Sequence, residues 1–407
     1  MKNSKIPMYT DYILLTFFIL MSGGSFTYGM FGSWSYLLFP VVLYIYIHRG
    51  YKITNRIIFI SCLFAILYLL QTLNFGGPLT AVIQPTLQIF ILALFTRIIY
   101  PNFNTIYVRI ITFFAFMSLV IWCISMVPAG YNFLFNFSQG LPQFGVENLW
   151  EVREGKEVMY TCYLFSYSTL ESSFSTGILR NYGPFWEPGR FTIFLTIALM
   201  IRLYNNSNRL FDRTNIILLL ANITTFSTTG YIALSILFMG HILIKNMKSY
   251  VKILVSVLLT ILVVWVSQLD FMGDKVASQM NDLGNTHSRF GAMAYHFLQI
   301  SQSPLIGYGS HLGRVFNIVE VSPNGWTSYM RYVGIPMFVT MMVFLYRGTK
   351  AYIRNNNKMM SIFAFFVILT LAFTQTCMND PFYYILYFMV FNVGLKNIKT
   401  RMNYAKQ

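Results

Sequence analysis

Two stretches of this chain hold ionisable side chains at spacings that could do chemistry. The first is Asn181-Tyr-Gly-Pro-Phe-Trp-Glu-Pro-Gly-Arg190. Pro188 suits the first turn of a helix and Glu187 the position just before it, where an acid also meets the positive end of the helix dipole. A helix-start device accounts for Glu187 on its own. Arg190 asks for more. It falls in the first turn of an apolar segment, on the same side as Glu187, and an ionisable group at that depth points to a functional site. The expected arrangement is an ion pair from Glu187 to Arg190 bridging the turn.

The second stretch runs Asn285-Thr-His287-Ser-Arg289 and on through Met293 to His296. Arg289, Met293 and His296 follow i, i+4, i+7, so Arg289 and His296 share one helical face. Ser303-Pro-Leu-Ile-Gly-Tyr-Gly309 then stops the helix and turns the chain. His311, Arg314, Asn324 and Arg331 follow. A guanidinium is always charged and grips phosphate oxygens two at a time. These arginines, with Arg180 upstream, suggest an anionic partner at the level of lipid headgroups. Histidines of this kind are more often hydrogen-bonded structural groups than catalysts. Glu147, Glu151 and Glu154 also share a helical face, which reads as the solvated side of a short amphipathic helix on a membrane surface.

The elements that must position these residues are membrane spans. Of 407 residues, 56% are apolar and only 10% charged, with a mean hydropathy of +0.56. A soluble domain carries about 25% charged residues. Disordered chains, disulfide scaffolds and ordinary cytosolic enzymes are excluded. Runs long enough to cross a bilayer lie near Tyr12–Gly29, Ser33–Ile47, Ile57–Leu73, Leu79–Phe95, Ile110–Val127, Gly189–Tyr204, Asn215–Phe226 and Tyr231–Ile244. Ile253–Ser267, Thr327–Tyr346, Met359–Cys377 and Phe382–Leu395 complete the set, about twelve in all. The short pair flanking Thr228 also reads as one broken helix.

Net charge is +16 and the pI 9.6, values that in a soluble protein would point to nucleic acid. Threading the chain with its N-terminus inside places most of the 29 basic residues in inner loops, beside only Asp11 and Asp212. Topology therefore explains the positive excess, and no nucleic-acid partner is expected. Lys2 and Lys5 precede an apolar run followed at once by another, which reads as an uncleaved first span. Cys62, Cys123, Cys162 and Cys377 lack metal spacing, so neither a metal nor a cofactor is expected. The organisation is one integral membrane domain, residues 1–407, with two long external intervals, 128–188 and 268–326. Intervals of that length are usually functional.

Three features resemble the O-antigen polymerase and ligase superfamily, the Wzy-type polymerases and WaaL-type ligases of bacterial surface polysaccharide assembly. They are Trp186-Glu-Pro-Gly-Arg190 at the start of a span, Thr225-Phe-Ser-Thr-Thr-Gly230 at the short helix pair, and the stretch from Arg289 to Gly309. The likeness covers roughly residues 180–345. It implies an all-α, GT-C-like integral membrane glycosyltransferase in the bacterial plasma membrane with both termini cytoplasmic. Its reaction would move a glycan from undecaprenyl pyrophosphate to a hydroxyl of another lipid-linked repeat unit, for lipopolysaccharide or capsule, with membrane lipid around it and a chain-length regulator as possible partner. The implied catalytic residues are Arg289, Arg190, Glu187 and His287. Arg180, His296, His311, Arg314, Asn324 and Arg331 would bind substrate. By side-chain type, Glu187, His287 and His311 are the candidate bases. Family members often carry an arginine where this chain has Thr228. Ligases place a histidine before an asparagine where this chain has Pro323-Asn324, which favours a polymerase. The alternatives are a ligase or protein O-oligosaccharyltransferase using the same donor, and a lipid-linked oligosaccharide flippase. Against the flippase, the span centres are nearly free of charge.

Overall fold

The computed structural model describes residues 9–24, 31–139, 159–162, 165–168, 179–205, 211–244, 289–316, 324–353 and 357–393, with the single residues 248, 250 and 257. The described chain is mostly helical. Six helices come first: α1 (Tyr9–Met21), α2 (Phe31–His48), α3 (Asn55–Phe75), α4 (Thr80–Ile99), α5 (Phe103–Ser125) and α6 (Pro128–Gln139). Three short strands follow: β1 (Met159–Cys162), β2 (Phe165–Ser168) and β3 (Arg180–Asn181). Then come α7 (Pro188–Asn205), α8 (Arg213–Thr224), α9 (Thr228–Ile244) and α10 (Arg289–Gln302). A 3-10 turn (Gly309–His311) leads into α11 (Leu312–Phe316), α12 (Gly325–Val333), α13 (Ile335–Tyr352), α14 (Lys358–Phe373) and α15 (Pro381–Phe388).

Helices α3, α4 and α5 are long and apolar enough to cross a membrane. At 21 residues α3 is roughly 31 Å long, matching a hydrocarbon core of about 30 Å. Ile58, Phe59, Ile66, Leu69, Leu70 and Leu73 on α3 are exposed, as are Phe113, Phe116, Val120 and Ile124 on α5. Lipid can cover such faces where water could not without cost. Helix α7 is the opposite case. Nearly every residue from Pro188 to Tyr204 is buried against α5, α8, α9 and α14, as expected for a helix apolar on all sides. Helix α15 is buried along its whole length, with Phe382 packed between Tyr107 and Phe194 at centroid distances of 5.1 and 4.9 Å.

Contacts between distant segments sort into two ends. At one end Arg49 pairs with Asp11 at 2.6 Å, Arg97 reaches Asn392 at 3.0 Å, and Asn104 and Asn205 both donate to the Tyr352 carbonyl. These residues all belong to segments that the threading puts on the inside. The opposite end gathers Ser22, Glu187, Arg190, Thr225, His296, Asn324 and Asp380.

Three sequence expectations change. The expected span Thr327–Tyr346 is divided at Gly334, which adopts φ +80° and separates α12 from α13, with Pro336 in the first turn of α13. The pair around Thr228 is two helices, as its two apolar runs lead one to expect, and not one broken helix; a turn in which Phe226 has φ +48° joins them. The last helix gives way to a 3-10 turn at Met389, earlier than the expected span Phe382–Leu395. A small antiparallel sheet, β1-β2-β3, adds strands to an otherwise helical protein, with Met159 opposite Ser168 and Tyr167 opposite Asn181. The acidic run at Glu147–Glu154 and most of the expected span Ile253–Ser267 lie outside the described residues.

Candidate functional site

The site builds outward from the start of α7. Gly183 has φ +54°, and a Cβ there would meet the Phe191 ring at 2.6 Å, so only glycine lets the chain fold back over the helix. Phe185 then forms a β-bridge with Gly24, and the Trp186 N–H donates to the Gly23 carbonyl at 3.1 Å. The end of α1 and the start of α7 are thereby fastened together.

Arg190 is completely buried. Its Nη1 pairs with Asp380 Oδ2 and lies 3.4 Å from the Ser22 carbonyl. Nη2 donates to the Thr376 carbonyl at 3.0 Å, and the guanidinium lies over the Trp186 ring at 5.7 Å. Glu187 does not pair with Arg190. It accepts from Gln375 Nε2 at 2.9 Å instead. The expected turn-bridging ion pair is therefore replaced by a long-range one. Its acid stands at the N-cap of α15, where the positive helix end also favours a carboxylate. Burial pushes the Asp380 carboxyl up to about 6, against the pull of Arg190. The side chain keeps 15% exposure.

Gln375 links this pair to the second interval. A Cβ on Gly325 would lie 2.0 Å from the Gln375 carbonyl and 2.1 Å from that of Ala372. The start of α12 thus abuts the end of α14. Asn324 caps α12: its Oδ1 accepts from Thr327 N and Thr327 Oγ1, both at 3.1 Å. Across from it, His296 Nδ1 lies 2.8 Å from the same Thr327 hydroxyl. Arg331 Nη1 donates to Gln299 Oε1 at 2.6 Å, next to His296 on α10. Burial, reinforced by Arg331, pushes His296 down to about 3.

Arg180 closes the cluster on the far side of α7. Its Nε and Nη2 donate to the carbonyls of Thr225 and Phe226, each at 3.1 Å, capping the end of α8. Thr225 in turn hydrogen-bonds Thr192 on α7 at 2.8 Å. His311 and Arg314 stand apart. His311 Nε2 lies 3.1 Å from Thr72 Oγ1, and exposed Arg314 donates to the Gly76 carbonyl at 2.7 Å, both against the α3–α4 connection. Burial, with Arg314 second, lowers the His311 pKa. Arg289 is the first residue of α10; its side chain and the whole of His287 lie outside the described residues.

Of the expected site residues, the structure brings together Glu187, Arg190, Asn324, His296 and Arg331, joined through Gln375, with Arg180 one helix away. Asp380, Thr376, Gln375, Thr327 and Gln299 belong to the same network and were not anticipated. One signal was available for Asp380: after Glu320 it is the last acid in the sequence, set in an apolar stretch. No group of three metal-ligating side chains occurs among the described residues. Comparison with protein-family models, curated proteins and solved structures finds no match to this chain.

Proposed function

We propose that this chain is a bacterial plasma-membrane glycosyltransferase that polymerises a surface polysaccharide at the outer face of the membrane, with both termini cytoplasmic. The observation that carries the reading is convergence. The three segments that resemble the polymerase and ligase superfamily are far apart in sequence, yet they meet at one end of the helix bundle. Thr192 joins the Trp186–Arg190 segment to Thr225, and Gln375, Gly325 and Thr327 join it to α10. The buried carboxylate and guanidinium side chains among the described residues, Asp11, Arg190 and Arg331, all lie near helix ends. That distribution supports chemistry at one face over passage through the middle, where a transporter would need polar groups.

In the proposed reaction an acceptor sugar hydroxyl attacks the anomeric carbon of the donor. The C–O bond to undecaprenyl pyrophosphate breaks, the pyrophosphate leaves with the electron pair, and the hydroxyl proton passes to a base. Arg289 is assigned to the leaving pyrophosphate, whose growing charge a fixed guanidinium would stabilise. Arg190 is engaged by Asp380 and Thr376, so its role is to hold α1, α7 and α15 in register behind the reacting groups. Asp380 joins Glu187, His287 and His311 as a candidate base, because burial raises its carboxyl to about 6, toward neutral pH.

Glycan analysis of a deletion strain beside its parent tests the reading. Loss of a polymerase leaves single repeat units attached to the surface lipid. Complete absence of attached glycan, with polymer still held on the carrier lipid, would identify a ligase instead. Repeat units trapped on the cytoplasmic leaflet would identify a flippase. Arg289→Ala should reproduce the deletion at normal protein level, with a loss of roughly 10²–10³ in rate.

A further inference from the structure

The ring of His296 is wholly buried between α10 and α12, and its two nitrogens are in unlike situations. Nδ1 sits 2.8 Å from Thr327 Oγ1. Nε2 has no hydrogen-bond partner among the described residues. The tautomer follows from counting protons. Asn324 accepts the Thr327 backbone N–H, so the amide atom there is the oxygen. Thr327 Oγ1 lies 3.1 Å from that oxygen, and its single hydroxyl proton must point at it, since two bare acceptors would repel at that distance. The hydroxyl then has only lone pairs left for His296, so Nδ1 carries the hydrogen. Nε2 is left as a bare acceptor, held in a fixed direction by Thr327 and Asn324.

A buried acceptor without a donor costs free energy, and in a native fold it calls for an explanation. We infer that His296 Nε2 is a preset acceptor for a hydroxyl of the glycan that enters this end of the bundle, and that Thr327 and Asn324 act through it by fixing its tautomer. This rests on the glycosyltransferase reading above and names a glycan contact within the same site. The low pKa, about 3, keeps the ring neutral and makes it too weak to take a proton at working pH. His296 is therefore a positioning residue and not the general base. It selects for a hydroxyl: an ammonium or hydroxyl donor would satisfy it, whereas a carboxylate or deoxy position would not. Because Nε2 is covered, the hydroxyl reaches it only as α10 parts from α12. Phe297 and Leu298 beside it are exposed, so that face of α10 is open to lipid or glycan.

Two measurements on the full-length protein in nanodiscs test the inference. The chain has five histidines, so nitrogen-15 histidine labelling gives a countable spectrum, in which His296→Gln assigns the ring in question. A bare imidazole nitrogen resonates far from a protonated one. The free protein should show His296 with protonated Nδ1 and bare Nε2, and Thr327→Val should scramble that assignment. Adding lipid-linked repeat unit extracted from the parent strain should move the Nε2 signal, and the carrier lipid alone should not. In elongation assays His296→Ala should raise KM for the repeat unit about five- to tenfold, the loss of one hydrogen bond, with kcat and its pH profile little changed. His296→Gln, which can place an acceptor near Nε2, should recover most of it.

An Nε2 signal that ignores the repeat unit, together with an unchanged KM in His296→Ala, overturns the inference while leaving the polymerase reading in place. A protein that never elongates glycan but whose Nε2 signal moves with the repeat unit overturns the polymerase reading and keeps the glycan contact. A protonated Nε2 in the free protein overturns the tautomer argument directly.

Discussion

The Arg190–Asp380 pair allows stability and function to be separated. Arg190 has no exposed side-chain surface and Asp380 keeps 15%. Asp380→Ala would strand a guanidinium in the interior without its carboxylate, beside the Thr376 and Ser22 carbonyls and the Trp186 ring. Breaking a buried pair in that way typically costs about 3–5 kcal/mol. Arg190→Met should cost less, about 1–3 kcal/mol, because the remaining carboxyl reaches solvent and can take a proton. The double change Arg190→Met/Asp380→Leu leaves no charge behind. Replacing both members of a buried pair by apolar residues of similar size is often close to neutral, so the double variant should be more stable than Asp380→Ala alone. The assay is thermal stability of the detergent-solubilised protein with immunoblots of membranes, read beside polymer length on gels. A double variant that folds normally but makes no long chains assigns the pair to the reaction. Normal polymer from the double variant would reduce the pair to a packing device. Asp380→Ala as stable as the parent would refute the energetic argument itself.

The remaining predictions follow from single contacts. Gln71 is buried and donates to the carbonyls of Ile306 at 2.6 Å and Tyr332 at 3.0 Å, so Gln71→Leu should cost about 2–4 kcal/mol and lower activity through the second interval, measured by melting and polymer length. Gly307 has φ +63° and a Cβ there would lie 2.5 Å from Gly334 N, so Gly307→Ala should cost about 2–5 kcal/mol and deplete the protein from membranes. Asp380 is ionised above about pH 6, so the ion pair, and activity with it, should fade as pH drops through 6, with the acid limb displaced or lost in Asp380→Asn. The fold raises this pKa above the usual carboxylate value, so it binds the extra proton between about 4 and 6, and stability should rise as pH falls through that window. For topology, single cysteines at positions 154 and 282 should react with an impermeant maleimide in cells with a permeabilised outer membrane, and one at 354 should not; the reverse pattern would overturn the threading.

How much of this was legible in the sequence varied with range. The apolar runs behind α3, α4 and α7 were read within a few residues, because burial in lipid or protein imposes a composition that one segment shows by itself; α5 starts seven residues before its expected run. The helix stop at Ser303-Pro and the glycine turn after it were legible for the same reason, and so was Pro188 at the start of α7. Partnership was not. Asp380 lies 190 positions from Arg190, so helical spacing pointed to the nearer acid, Glu187, at the wrong side of the pair. The break at Gly334 was hidden by hydropathy, since Val333 and Ile335 continue the apolar run across it. Its cause is another segment: a Cβ on Gly334 would lie 2.3 Å from the Leu305 carbonyl. Local sequence reports what surrounds a residue more readily than what it touches.

That crossing also changes the part played by the N-terminal half, which the motifs left as mere hydropathy. Gly307 and Gly334 bring two backbones together, Tyr308 N–H donates to the Arg331 carbonyl at 2.9 Å and Ile335 N–H to that of Pro304 at 2.8 Å. Gln71 on α3 bonds both sides of the junction at once. The register of α10 against α12, and with it the His296–Thr327–Asn324 chain, is therefore set from α3. At the other edge Ser22 accepts the Phe382 N–H at 2.9 Å and its carbonyl faces Arg190, so α1 fixes α15 and the acid it begins with. Residues of α1 and α3 that would touch no glycan thus define the geometry of those that would. Loss of activity on mutation of Ser22 or Gln71 would report misplacement and not chemistry, and each should then be recovered by changes that restore packing at the crossing without adding any charged group.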